Sequence, residues 1–249
     1  MKSVISLSMH KAGSSIADRI IGDFCTEKGY ELDRIARQVP DSPSPEGELF
    51  VSYQDHMKLD DVYYGMARGP YVKDMDIIDR LKTIIQIRDP RDCITSAYFS
   101  FKESHVLPNN PEKRAKFQHR RDTVSQLTID DYAATNAENY KMRMNVLRNI
   151  IESHADVLLL RYEDMVEDTE KWLTQISEFL GQPVTENVRE RLGNKTNFTV
   201  NSEDVTKHKR QVSPRDHVRK LSGSTINTMN ETLRDPLQYF GYTHNVQLL

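Results

Sequence analysis

The strongest constraint on this chain is a set of short apolar runs, each followed by a polar turn and a helix-periodic segment. Thr83-Ile84-Ile85-Gln86-Ile87 is rich in β-branched residues and ends at a turn signal, which marks a buried strand. Val4-Ile5-Ser6-Leu7-Ser8-Met9 and Val157-Leu158-Leu159-Leu160 read the same way, and residues 62–67 form a further candidate, closed by Gly69-Pro70. Helices lie between them. Ile16, Ile20, Ile21 and Phe24 recur at helical spacing after Ser14-Ser15, and Gly29 stops that helix. Residues 130–153 predict a long helix, residues 163–180 an amphipathic one ended by Gly181, and residues 184–192 and 224–234 two shorter ones. Residues 77–82 read as a helix end and residues 38–48, with three prolines, as an irregular loop. Residues 104–125 read as polar loop with a basic helix over 111–121.

Strands alternating with helices imply an α/β fold, a three-layer sandwich with a central parallel sheet flanked by helices. The 249 residues suit one domain over 1–249. In open sheets of this kind ligands bind beyond the carboxyl ends of the strands. The residues just after Met9, Ile87 and Leu160 therefore come first.

Composition narrows the classes. A net charge of −3 argues against a general nucleic-acid binder, which needs a basic face. Two cysteines, Cys25 and Cys93, exclude a disulfide scaffold, make a Cys-based zinc site a poor reading, and fit a reducing compartment. No run approaches the roughly 20 apolar residues of a membrane span. The N-terminus carries no signal-peptide pattern, so the expectation is a cytoplasmic protein without a membrane span.

The first loop, His10-Lys11-Ala12-Gly13-Ser14-Ser15, joins a strand to a helix. Unpaired amides at a helix N-terminus point at an anion, the macrodipole favours negative charge, and Lys11 adds a full cation. The Gly-x4-Gly-Lys-Ser/Thr pattern of nucleoside-triphosphate loops is absent. The same residues also fit an ordinary turn with a serine cap and a solvated lysine.

The second strand end is Arg88-Asp89-Pro90-Arg91-Asp92-Cys93-Ile94-Thr95-Ser96. Asp89 is placed at an N-cap, Pro90 at the first helical position and Asp92 where a capping-box partner belongs. Arg88 and Ser96 would then face one phosphate from two sides, a planar fork of donors and a hydroxyl. Arg91 and Asp92 read as a surface ion-pair cluster at the helix start.

Together these segments resemble the sulfotransferases that use 3′-phosphoadenosine 5′-phosphosulfate (PAPS). Lys11-Ala12-Gly13-Ser14-Ser15 resembles the family's phosphosulfate loop, and Arg88-Asp89-Pro90-Arg91-Asp92 with Ser96 its 3′-phosphate segment. Leu160-Arg161-Tyr162-Glu163-Asp164-Met165, Lys195-Thr196-Asn197-Phe198 and His217-Val218-Arg219-Lys220-Leu221-Ser222-Gly223 continue the likeness in order, over roughly residues 3–242. The resemblance implies a P-loop-like nucleotide-binding core and transfer of a sulfonate from PAPS to a hydroxyl or amine. It makes Lys11 the catalytic cation, with Ala12, Gly13, Ser14 and Ser15 holding the 5′-phosphate. Arg88, Ser96, Arg219 and Lys220 would grip the 3′-phosphate, and Tyr162, Thr196 and Phe198 would line the adenine pocket. The basic run over 207–220 would cover the nucleotide. No metal is expected, because fixed cations carry the charge.

Two departures stand out. The position where many members carry the base histidine holds Arg68, which cannot accept a proton. His10 is the leading substitute, because an adjacent cation favours the neutral imidazole; His56 and His105 are alternatives. The C-terminal loop lacks the family's first glycine and its tryptophan; the single Trp172 is read as core. The acceptor, a small molecule, lipid or glycan, is expected to meet loops near 38–60, 66–75 and 102–125. A P-loop kinase of small molecules and a non-catalytic nucleotide-binding relative remain as other readings.

Overall fold

The structure is a computed structural model and describes residues 1–42, 44–104, 106–193 and 212–242. Its centre is a five-stranded, wholly parallel sheet in the order β2-β3-β1-β4-β5. The strands are β1 (Val4–Ser8), β2 (Glu31–Leu32), β3 (Val62–Ala67), β4 (Lys82–Ile87) and β5 (Val157–Arg161). The two-residue β2 is an edge strand without an apolar run, which is why the sequence pattern does not announce it.

Eleven α-helices are described: α1 (Ser14–Lys28), α2 (Glu46–Tyr53), α3 (Pro90–Phe99), α4 (Pro111–Ser125), α5 (Ile129–Ser153), α6 (Tyr162–Glu167), α7 (Thr169–Leu180), α8 (Glu186–Leu192), α9 (Asp216–Lys220), α10 (Gly223–Thr232) and α11 (Arg234–Tyr239). The single helix expected over 163–180 is two. Asp168 leaves helical geometry and caps α7 by accepting from Lys171 N at 3.1 Å. The helix end expected over 77–82 is a 3-10 turn, Asp76–Arg80, and Lys82 already belongs to β4.

Successive strand side chains point to opposite faces, and the core divides accordingly. Ile5, Leu7, Ile85 and Ile87 pack with Ala97, Ala137, Met144, Leu147, Met229 and Leu237 of α3, α5, α10 and α11. Val4, Ile84 and Leu160 pack on the other face with Ile20, Phe24, Trp172, Ile176 and Val188 of α1, α7 and α8. The three layers follow from that period. Among the described residues no helix is long and apolar enough to cross a membrane.

The register places the site. Ser8 lies opposite Gln86 and Ile87 opposite Arg161, so β1, β4 and β5 end nearly level. The loops that follow them emerge side by side at one edge of the sheet.

Candidate functional site

The loop after β1 turns sharply enough to need two left-handed residues, Lys11 with φ 72° and Gly13 with φ 74°. Glycine tolerates that conformation, whereas in lysine it is strained. Gly13 caps α1 without a side-chain bond, and its carbonyl accepts from Ile16 N and Ala17 N, both at 3.1 Å. The amides of Gly13, Ser14 and Ser15 precede the helix's own ladder, and the first turn holds no acidic residue. A Cβ on Gly13 would lie 2.6 Å from Cδ2 of Tyr162, so the turn also needs glycine for space.

A buried polar chain holds this loop from below. Gln86, fully buried in β4, points Nε2 at the Ala12 carbonyl (3.4 Å), and its Oε1 accepts from Trp172 Nε1 at 3.2 Å. Trp172 is core, as expected, yet it also fixes the amide that supports the loop. Sequence reasoning passed over Gln86; the signal was a polar residue inside an otherwise apolar buried strand.

Arg88 directly follows β4. Its side chain is 5% exposed, and its guanidinium donates from Nη1 to the Lys11 carbonyl at 3.1 Å and lies 4.2 Å from the Tyr162 ring centroid. Its Nε is buried and finds no hydrogen-bond partner among the described residues. A desolvated cation with an unspent donor beside open helix amides is an arrangement that a phosphate or sulfonate completes. The donor set therefore fits a polyanionic nucleotide. Among the described residues no group of His, Cys, Asp and Glu side chains could hold a metal ion.

Arg91 and Asp92 do not form a surface cluster. Both are buried, because α9, Asn230 of α10 and Tyr242 meet the start of α3. Asp89 caps α3 by accepting from Arg91 N at 2.9 Å, and its carboxylate takes the Arg91 guanidinium in a fork of 3.0 and 2.7 Å. Arg91 reaches on to Asn230 Oδ1 (2.6 Å) and to the Tyr242 carbonyl (3.0 Å). Asp92 does not close a capping box. Glu163 takes that role from another element, accepting from Asp89 N at 3.0 Å and from the Tyr242 hydroxyl at 3.0 Å. Burial raises the Glu163 carboxyl above its usual value, against the pull of those hydrogen bonds.

Asp92 instead accepts from Arg215 N at 2.7 Å, from His217 N at 2.9 Å and from His217 Nδ1 at 2.6 Å. Arg88 Nη2 lies 3.6 Å from the same carboxylate. Burial alone would raise the Asp92 carboxyl. The bond from His217 and the charge of Arg88 outweigh it and hold the group well below the usual carboxylate range. His217 was named in sequence only as part of a motif, with no role of its own.

The other expected site residues are spread more widely. Ser96 is half-buried, one turn beyond Asp92 on α3. Tyr162 is buried between Gly13 and Arg88, and its hydroxyl donates to the Val212 carbonyl at 2.8 Å. Arg219 is exposed beside Asp216 (3.2 Å), and Lys220 lies over the Phe99 ring at 5.7 Å. His10 is half-buried in the first loop, and its carbonyl accepts from the Tyr140 hydroxyl at 3.5 Å. Arg68 follows β3, where its amide donates to Glu46 at 3.0 Å and its guanidinium lies 3.5 Å from the same carboxylate. His56 is exposed and stands two residues before Lys58, which pairs with Glu31 at the start of β2. That is the amino-terminal edge of the sheet, so the fold does not bring His56 to Lys11. Thr196, Phe198, His105 and residues 207–210 lie outside the described residues.

Comparison with known proteins agrees with this fold. A mouse sulfotransferase complexed with PAP superposes with a TM-score of 0.65 at 13% identity, over 97% of this chain and 89% of that one. A retinol dehydratase in complex with retinol and PAP gives 0.56 at 15% identity, over 95% and 81%. A sulfotransferase from Mycobacterium avium gives 0.54 at 9% identity, over 96% and 76%. At such identities the likeness is one of fold. No curated protein matches the chain. The sulfotransferase domain family matches residues 76–239, which include Arg88, Asp92, Tyr162 and His217 but not the first loop. That match covers more than half of the sequence, and the chain belongs to the sulfotransferase domain family.

Proposed function

We propose that this sulfotransferase moves a sulfonate group from PAPS to an acceptor hydroxyl or amine and releases PAP, with the first loop and Arg88 as its nucleotide site. The observation that carries the reading is the Arg88 guanidinium, buried against Tyr162, tied to the Lys11 carbonyl and left with an Nε that has no partner among the described residues. Bound PAPS supplies the sulfonate and carries off negative charge on its phosphate. The chain's own groups stabilise that charge. The amides of Gly13, Ser14 and Ser15 and the macrodipole of α1 favour it, and the Lys11 ammonium adds a full cation. Arg88, Ser96, Arg219 and Lys220 hold the 3′-phosphate, and Tyr162, Thr196 and Phe198 form the adenine side. His10, in the same turn as Lys11, takes the acceptor proton. The two cysteines, both free and buried, fit the cytoplasm.

The test begins with calorimetric titration of PAP without metal and of ATP with Mg²⁺. The expected result is selective PAP binding that Lys11→Ala weakens; selective ATP–Mg²⁺ binding would overturn the reading in favour of a kinase. Transfer of labelled sulfate is then followed on a panel of phenols, glycans and lipophilic alcohols, the last chosen because one structural neighbour binds retinol. Lys11→Ala is expected to lower kcat by about 10²–10³-fold, the scale of one charge-stabilising donor. His10→Gln is expected to lose about 10²-fold or more. PAP binding with no transfer to any acceptor would mark a non-catalytic relative.

A further inference from the structure

The buried Asp92 carboxylate touches both halves of the proposed nucleotide site. On one side it faces Arg88 Nη2, at the end of β4. On the other it receives three donors from the C-terminal segment: Arg215 N, His217 N and His217 Nδ1. A carboxylate only accepts, so His217 Nδ1 carries its proton. The segment it holds is not relaxed by itself, since Arg215 sits at φ 64° as the N-cap of α9. Arg219 and Lys220 lie on that same five-residue helix. Asp92 is itself 0% exposed and His217 only 2%, so neither reaches a ligand.

We propose that Asp92 is a positioning residue, a clasp that fixes the Arg88 guanidinium and docks the 215–220 segment through His217, so that recognition of the 3′-phosphate depends on it. This role rests on the nucleotide reading above. It also runs against simple electrostatics. A carboxylate beside Arg88 offsets part of the positive charge that a phosphate sees, so on charge alone its removal would tighten phosphate binding. The clasp predicts the reverse. In Asp92→Asn one oxygen becomes an NH₂ group and faces donors that have nowhere else to turn. The segment then detaches and Arg88 loses its fixed orientation.

The experiment compares PAP with 5′-AMP, which lacks the 3′-phosphate, on wild type and variants by calorimetry. Wild type is expected to prefer PAP. Asp92→Asn is expected to lose about tenfold or more in PAP affinity, with 5′-AMP affinity little changed, so the preference collapses. His217→Leu should reproduce the loss, and His217→Asn, which restores a donor near the Nδ1 position, should recover most of it. Hydrogen exchange of amides 215–221 without nucleotide should quicken in Asp92→Asn and His217→Leu while β4 stays protected; this separates detachment from global unfolding. A wild type that prefers PAP and an Asp92→Asn or His217→Leu variant that keeps or strengthens that preference would overturn the clasp alone. A wild type with no preference for PAP would overturn the nucleotide reading, and this role with it.

Discussion

At the scale of single residues the site turns on backbone conformation. Lys11 and Gly13 sit at φ 72° and 74°, and only the second has no Cβ to pay for it. Gly13→Ala is expected to destabilise the protein by about 1–3 kcal/mol, from the left-handed backbone and from contact with Tyr162, and to weaken PAP binding as well. A urea midpoint unchanged from wild type would refute that account. This part of the site was legible in sequence, because a strand, a Lys-x-Gly-Ser-Ser turn and a helix are local features. Asp92 was not. Its partners Arg215 and His217 lie 123 and 125 residues away, and no spacing rule spans such a distance. The surface ion-pair reading of Arg91 and Asp92 failed for the same reason, since sequence pattern does not show what covers a helix start.

At the scale of elements, α3 is the piece on which the site depends. Its N-terminus combines Asp89 as cap, Pro90 at the first position and Glu163 borrowed from α6. Asp89→Ala removes the cap and strips the buried Arg91 of its carboxylate. The expected loss is about 3–5 kcal/mol, the scale of a broken buried pair. Thr128→Ala, at the exposed cap of α5, should cost only about 1 kcal/mol. Equal losses in chemical denaturation would show that the buried pair adds nothing beyond the cap. Helix existence was readable from apolar period and from stop residues such as Gly29 and Gly181. The break at Asp168 was not, because the apolar face of α6 and α7 continues across it. Burial of Trp172 was likewise readable, whereas its bond to Gln86 needed α7 and β4 brought together.

At the scale of the molecule, charge is gathered where β1, β4 and β5 end, and stability should record it. Asp92 titrates below its usual value of 3.8, so its contribution is complete above that pH and is lost as pH falls through the folded value. Glu163 titrates above its usual value of 4.5, so its contribution is complete below that pH and is lost as pH rises through the folded value. Urea midpoints measured from about pH 2 to 8 should therefore show a flatter acid limb in Asp92→Asn. Glu163→Gln should show less decline on the side above pH 4.5. A wild-type acid limb retained in Asp92→Asn would place the acid sensitivity elsewhere.

The sequence by itself determined the parallel three-layer architecture, the glycine turn between strand and helix at Lys11–Ser15 and the place of Arg88 at a strand end. Each depends on side-chain period or on backbone geometry within a few residues. Only the tertiary structure decided that Gln86 and Trp172 support that turn, that Glu163 completes the cap of α3, that His56 stands at the far edge of the sheet, and that Asp92 joins Arg88 to the C-terminal segment. Those are bonds of buried polar groups, and a buried donor or acceptor takes whatever partner folding brings to it, however distant in the chain.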